Sequence, residues 1–295
     1  GSFLRHHDAA TMVLVPGAFL RCVVLQGICS MTSDAIGTAG QVDGIGKTRN
    51  RLLCELPEDE LAILLRSAEM VQIRPRQVLQ HWRLPMEHVY FIERGLVSVS
   101  ARVDDNFVEA WLVGSEGLVG APLVLADEQQ ITPHRRIVQI GGEAVRIPAR
   151  EFLAVLPELP ATRRLLQRYL QVVLFQTSQF GACNAVHSVK QRLARWLLVA
   201  REGLHCDELP ITQEVLGQLL GVRRATVTEA VEALQREEVI RASRGMIGIA
   251  DAEALRQVSC ACHDLVRREY HRQIQPSSGS KSEPQGYEAS GPVLR

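Results

Sequence analysis

The sequence predicts an α+β fold: an N-terminal β jelly-roll barrel, a long dimerisation helix, and a C-terminal winged helix-turn-helix. Three observations carry this expectation. Short strand-like runs separated by glycine succeed one another from Val89 to Ile147. After Pro157 and Pro160 the apolar period changes to that of a helix. Between Ile211 and Ile249 a helix, a glycine and a second helix are followed by two short strands.

The bulk properties set limits. A chain of 295 residues can hold two domains, each with its own core. Lysine plus arginine and aspartate plus glutamate number 33 each, so any nucleic-acid footprint must be local rather than global. The apolar run Met12 to Ile28 is broken by Pro16, Gly17, Arg21 and Gln26 and falls short of the roughly 20 clean apolar residues of a spanning helix. Arg21 also spoils it as a signal peptide, so the cytoplasm is the expected compartment. Seven scattered cysteines fit reduced thiols better than a disulfide framework. Residues 1–46 sustain neither period and are expected to be a poorly ordered arm, with Met31 a candidate natural start.

Residues 47–157 are expected to be the barrel domain. "LPEDELAILLRSAEM" opens it as a short helix, with Leu61, Leu64, Leu65 and Ala68 on one face behind acidic residues suited to a helix start. "VYFIERGLVSVSARV", Val89 to Val103, alternates on both sides of Glu93-Arg94-Gly95, where glycine permits a tight hairpin. Further strands are expected at Phe107 to Val113, Arg136 to Ile140 and Glu143 to Ile147.

Residues 158–186 form the long helix. Leu166, Leu170, Val173, Thr177, Phe180 and Asn184 follow the spacing that two helices bury along their length. The stripe fits either a helix lying on its own barrel or a parallel homodimer. The dimer is preferred, because a second stripe at Leu165, Tyr169, Val172 and Gln176 is available to face the barrel.

Residues 187–274 carry the winged domain, and 275–295 are rich in Ser, Gly, Pro and Glu and are expected to be disordered. Thr212 can cap a helix bearing Val215, Leu216 and Leu219, Gly221 makes the turn, and Val222, Val227, Val231 and Leu234 form the buried side of the second helix. Arg223, Arg224, Thr226, Thr228 and Glu229 remain near its start, residue types able to bond base edges or phosphate. The strands Val239 to Arg241 and Met246 to Ile249 make a wing that places Arg244 to reach phosphate. The DNA-contact candidates are thus Arg223, Arg224, Thr226, Thr228, Glu229, Thr212 and Arg244. An ordinary helical hairpin with a solvated charged face competes, but leaves the Arg-Arg start and the glycine-tipped wing unexplained.

With "VYFIERGLVSV", "VKQRLARWLL" and "ITQEVLGQLLGVRRATVTEAVEALQREEVI" in this order, the chain resembles the Crp/Fnr family of bacterial transcription regulators from about Leu52 to Tyr270. The resemblance implies a cyclic-nucleotide-binding-like jelly roll, a dimer helix and a C-terminal DNA reader. In the family an Arg-Glu pair and a second arginine one turn later contact bases. Arg224 stands at the first position, while Ala225 replaces the glutamate and Glu229 the later arginine, so a different half-site is expected. Members that bind cyclic AMP hold its phosphate with an arginine-serine pair. Here Gly120 is followed by Ala121 and Pro122, and Thr132-Pro133 stand at the later position. A buried phosphate without its arginine is an unpaired charge, so no cyclic AMP binding is expected. Thr177-Ser178 fall where the family's base-contacting Thr-Ser pair lies, which leaves Gly120, Thr132, Thr177 and Ser178 as candidate effector-pocket residues, with the effector unassigned.

Oxygen sensors of this family hold an iron–sulfur cluster on closely spaced N-terminal cysteines, a spacing that Cys22, Cys29 and Cys54 lack. Cys260, Cys262 and His263 are three soft ligands, but on a helix the two cysteines would point to different sides, so no metal site is expected. No histidine spacing resembles a nucleophile or metal motif and no phosphate loop opens a helix, so no enzyme is expected. The expectation is a homodimeric, sequence-specific regulator on a palindromic operator in double-stranded DNA, with RNA polymerase a further candidate partner. A protein-interaction module without DNA and a thiol or redox sensor are the alternatives.

Overall fold

The computed structural model describes residues 48–125 and 131–275. The arm expected over 1–46, with Met31, Cys22 and Cys29, and the tail beyond Gln275 lie outside the described residues. Helix α1 (Arg51–Cys54) starts behind Asn50, whose side-chain oxygen accepts from Leu52 N–H and Leu53 N–H. The same side chain donates to the Ile92 and Gly117 carbonyls at 3.0 and 2.9 Å, which pins α1 to the sheet. Helix α2 (Glu58–Leu64) begins with Glu58, Asp59 and Glu60 and tightens into a 3-10 turn, Leu65–Ser67.

Six antiparallel strands follow: β1 (Glu69–Ile73), β2 (Val78–Gln80), β3 (His88–Val103), β4 (Asn106–Val113), β5 (Leu118–Val119) and β6 (Arg135–Pro148). Their order is β1-β6-β3-β4, with β2 also on β6 and β5 also on β3. Directly paired residues share a sheet face, so Val97, Val99, Trp111, Val113 and Val138 line one side and are buried together in the barrel core.

The structure corrects the expected hairpin at Glu93-Arg94-Gly95. Strand β3 runs unbroken through that point with its register to β6 slipping on both sides of Arg94, and the runs expected at Arg136 to Ile140 and Glu143 to Ile147 are one strand. The reason is a close backbone crossing: Gly95 has φ +107°, and a Cβ on Gly142 would stand 2.1 Å from the Arg94 carbonyl oxygen. Glycine here marks a bulge rather than a turn. The hairpin turn is Asp104-Asp105, between paired Val103 and Asn106, with Asp104 at φ +53°, a conformation aspartate tolerates.

Helix α3 (Ala149–Val155) and a 3-10 turn, Leu156–Glu158, lead to α4 (Pro160–Val186). The start of α4 is capped from α2: the Glu60 carboxylate accepts from Ala161 N–H (2.9 Å), Thr162 N–H and the Thr162 hydroxyl (both 2.7 Å). Burial alone would raise the Glu60 pKa, but these bonds bring it below the usual carboxylate value. Next come α5 (Val189–Leu204), β7 (Glu208–Leu209), α6 (Gln213–Leu220), α7 (Arg224–Arg236), β8 (Ile240–Ser243), β9 (Met246–Ile249), α8 (Ala252–Val258) and α9 (Cys262–Ile274). The last three strands form a sheet ordered β7-β9-β8.

Helix α9 runs antiparallel along α4: Gln179 Nε2 donates to Cys262 Sγ at 3.2 Å at one end, and the Tyr270 hydroxyl donates to the Glu116 carbonyl at 2.8 Å near the other. Tyr270 and Ile274 join the barrel core. This helix overturns the dimer seam expected from the sequence. Leu166, Leu170, Val173 and Phe180 are each no more than 8% exposed within the single chain, as are Leu165, Tyr169 and Val172, so the apolar residues of both stripes are buried internally. Thr177 is half-buried and Asn184 exposed. The face of α4 left open carries Gln171, Leu174, Ser178, Gly181 and Ala185, again at 3-4 spacing, with Leu174 67% exposed.

The barrel's other face is buried too: Leu96, Leu112 and Ile140 share a core with Leu193, Trp196 and Leu197 of α5. At its edge Trp196 Nε1 donates to Glu109 Oε1 at 2.9 Å. Burial pushes the Glu109 pKa up to about 7, against the opposing effects of Ser98, Trp196 and Arg195. No helix among the described residues is long and apolar enough to cross a membrane.

Two outcomes follow. Gly142→Ala forces the β3–β6 crossing apart and is expected to destabilise the barrel by about 3 kcal/mol, read as a lowered midpoint in denaturant unfolding. The folded state holds the Glu109 proton more tightly than the unfolded chain, so this group's stabilising contribution is complete below about pH 4.5 and is lost as pH rises through about 7. Glu109→Gln keeps an acceptor for Trp196, and its thermal melts between pH 5 and 8 should differ from wild type by that missing downward slope; parallel curves would refute the assignment.

Candidate nucleic-acid interface

The second helix of the winged domain is aimed by local capping. Thr212 caps α6 by accepting from Val215 N–H at 3.3 Å. At the other end Gly221 takes the left-handed conformation (φ 65°, ψ 36°), and its N–H reaches the Gln218 and Gly217 carbonyls. That turn needs glycine, and it throws the chain directly into α7. Val227, Ala230, Val231 and Leu234 are buried against the domain core, as the sequence indicated for three of them, and Val222 is half-buried.

The opposite face is open. Arg223, Arg224, Ala225 and Glu229 are exposed at the start of α7, and Thr226 is half-buried. Arg223 is the N-cap residue and makes no side-chain cap bond, so the first amides of α7 are left without the usual capping oxygen. Those amides and two guanidinium groups make one positive end, the kind of feature that receives a phosphate oxygen. Exposed Arg244 sits in the two-residue turn between paired Ser243 and Met246, next to Gly245 at φ +76°, where nothing crowds the tip.

One predicted contact residue is placed differently. The Thr228 hydroxyl donates to Gln213 Oε1 at 2.8 Å and lies 3.1 Å from the Arg224 carbonyl, so it braces α7 against α6 instead of facing outward. Sequence reasoning missed Gln213 as its partner because the pairing depends on the crossing of two helices.

The candidate effector residues do not assemble into one site. Gly120 (φ +113°) opens the 3-10 turn Ala121–Leu125, with Val89 and Met86 packed against it. Thr132 is buried and accepts from Arg136 Nη1 at 2.9 Å. Thr177 spends its hydroxyl on the Val173 and Leu174 carbonyls of its own helix, and Ser178 is exposed. The sequence comparison found no arginine in the phosphate motif, yet the fold buries one beside Thr132. Arg136 is 1% exposed, its Nη2 lacks a partner among the described residues, and burial brings its pKa down to about 10.

The thiols also differ from expectation. Cys260 precedes α9 rather than lying on it, so Cys260 and Cys262 do not diverge as on a helix and both approach Cys183 and His187. His263 is turned elsewhere, with Nε2 3.2 Å from Glu202 Oε1.

Comparison with known proteins agrees with this geometry. Residues 191–258 match the family model of the Crp-like helix-turn-helix domain. No curated protein matches the chain in sequence. Among solved structures the chain is similar to a transcriptional regulator of the Crp/Fnr family from Eubacterium rectale, at 15% identity and TM-score 0.54, covering 70% of this chain and 96% of that one. FixK2 from Bradyrhizobium japonicum aligns at 15% identity and TM-score 0.55, covering 66% and 98%. The c-di-GMP-responsive regulator CLP of Xanthomonas campestris aligns at 16% identity and TM-score 0.54, covering 65% and 99%. Residues 191–258 thus match the Crp-like helix-turn-helix domain, and the chain has the fold of the Crp/Fnr transcription regulators.

Proposed function

We propose that the protein is a dimeric, sequence-specific regulator that reads a palindromic operator in double-stranded DNA through α7 and the β8–β9 wing. The observation that carries this reading is the exposed, uncapped start of α7 with Arg223 and Arg224, held by the Gly221 turn and flanked by Arg244 on the wing. Arginine at such a position can bond a guanine edge bidentately, and Glu229 can accept from cytosine. The chain's net charge is zero, so a single winged domain has little long-range attraction for DNA. Two copies double the phosphate contacts, which is the physical argument for a dimer.

The dimer surface that the fold leaves available is the third face of α4. Leu174, Ser178, Gly181 and Ala185 stand at 3-4 spacing in the open, and the small residues permit close approach of a second copy's helix. The signal is proposed to act in the barrel near Thr132 and Arg136, biasing the winged domains between DNA-competent and incompetent orientations. Cyclic AMP is not the proposed effector, because Thr132-Pro133 stand in place of the phosphate-binding pair. RNA polymerase is a proposed further partner.

Selection of genomic fragments at about 0.1 M salt, followed by footprinting, tests the DNA reading. An inverted repeat with half-sites about one helical turn apart is expected. Arg224→Ala should weaken the selected site by about 10- to 100-fold, and Arg244→Ala should lower the salt slope by about one. Failure to enrich any fragment would favour a winged domain that meets protein. Leu174→Arg should weaken dimerisation at least about tenfold in sedimentation equilibrium, a change of about 1.4 kcal/mol; an unchanged dimer would move the interface off this face.

A further inference from the structure

Four soft ligands from distant parts of the chain meet at one point. Cys183 lies in the last turn of α4, and His187 ends that helix. Cys260 and Cys262 belong to the connector between α8 and α9 and the first residue of α9. Their three Sγ atoms and one imidazole nitrogen all lie within 4.8 Å of one another. Cys183 Sγ is 3.4 Å from Cys260 Sγ, and Cys262 Sγ is 3.7 Å from His187 Nδ1.

This is unlike three cysteines filling an apolar core. The thiols form a buried group of their own, separate from the barrel core and the winged core. A tetrahedral ion with metal–sulfur bonds of about 2.3 Å sets its ligand atoms about 3.8 Å apart, close to the spacings already present. A cluster of several irons would need its ligands spread around it, whereas these converge on one point. His187 is half-buried, which leaves an entry path beside an otherwise closed site.

We propose that Cys183, His187, Cys260 and Cys262 bind one soft divalent metal ion, zinc being the type case, as a tetrahedral structural site. Binding displaces three thiol protons to solvent and leaves a complex of net charge −1. Cation charge is at hand: Arg195 is buried with its guanidinium 3.7 Å over the Phe180 ring, its Nε has no hydrogen-bond partner among the described residues, and it lies near enough to favour the Cys183 thiolate. Burial pushes the Cys183 thiol up to about 12 and raises Cys260, so these two give up their protons only to a strong competitor such as a bound ion. Gln179 donates to Cys262 Sγ at 3.2 Å and so orients that ligand from outside the coordination shell.

The ligands stand at both ends of the winged segment. The chain leaves the site at His187, passes through α5 to α8, and returns at Cys260. A bound ion therefore staples the winged domain's entry and exit to the end of α4. Given the DNA reading above, metal occupancy would fix the orientation of α7 relative to the dimer helix, and its loss would release it.

The full chain, stripped with chelator and kept anaerobic with reductant, is titrated with Co(II) and then with Zn(II). One Co(II) per chain, with the intense visible bands of tetrahedral thiolate coordination and displacement by one Zn(II), is expected. Cys260→Ser and His187→Ala should each weaken binding more than tenfold, Gln179→Ala about tenfold, and Cys54→Ser with Cys206→Ser not at all. Circular dichroism checks that each variant folds, and the wild-type titration stands without any variant. Absence of the tetrahedral spectrum overturns the site, as does undiminished affinity in folded Cys260→Ser and Cys183→Ser. An iron cluster with acid-labile sulfide, or a Cys183–Cys260 disulfide in air from a protein that takes up no metal, overturns it as well. The readout uses no DNA, so failure of the site and failure of the DNA reading are distinguishable.

Discussion

Burial of α4 on two flanks is the constraint on which the other parts depend. The barrel takes one flank with Leu165, Tyr169 and Val172, and α9 returns along the helix with Tyr270 and Ile274. A helix of 27 residues is about 40 Å long, enough to carry the barrel at one end and the winged domain at the other. With two flanks used, the third stays open, and the side chains there are small apart from Gln171 and Leu174. The same packing delivers Cys183 and His187 to the connector that carries Cys260 and Cys262.

The junction between barrel and winged domain is unusual in its buried charge. Arg195 is buried and Glu109 and Arg192 are half-buried, each with a buried polar atom that has no partner among the described residues, and Arg195 eases ionisation of both Glu109 and Cys183. Burying charge costs more than it returns unless geometry and partners are good.

The winged domain shows how much local signals can settle. Thr212, Gly221 and the apolar positions of α7 act through bonds and contacts within a few residues, and they were readable because helix caps and left-handed turns have residue preferences of their own. The exposed arginines were readable for the same reason: once the buried side of α7 is known, the outer side follows from the helical period. Thr228 escaped because its partner, Gln213, lies on another helix. Glycine misled at Gly95, where the residue serves a crossing of β3 over β6 rather than a turn.

The sequence by itself determined the class of fold, the order of its parts and the outward face of α7, because period, caps and turns are properties of neighbouring residues. Tertiary structure alone decided which face of α4 is free, that Arg136 is buried beside Thr132, and that four ligands from two distant segments converge. A row at Cys262, Val266, Tyr270 and Ile274 does mark α9 as a helix with one apolar edge. Where that edge docks is set by competition among apolar surfaces across the whole chain, and no local pattern encodes the outcome.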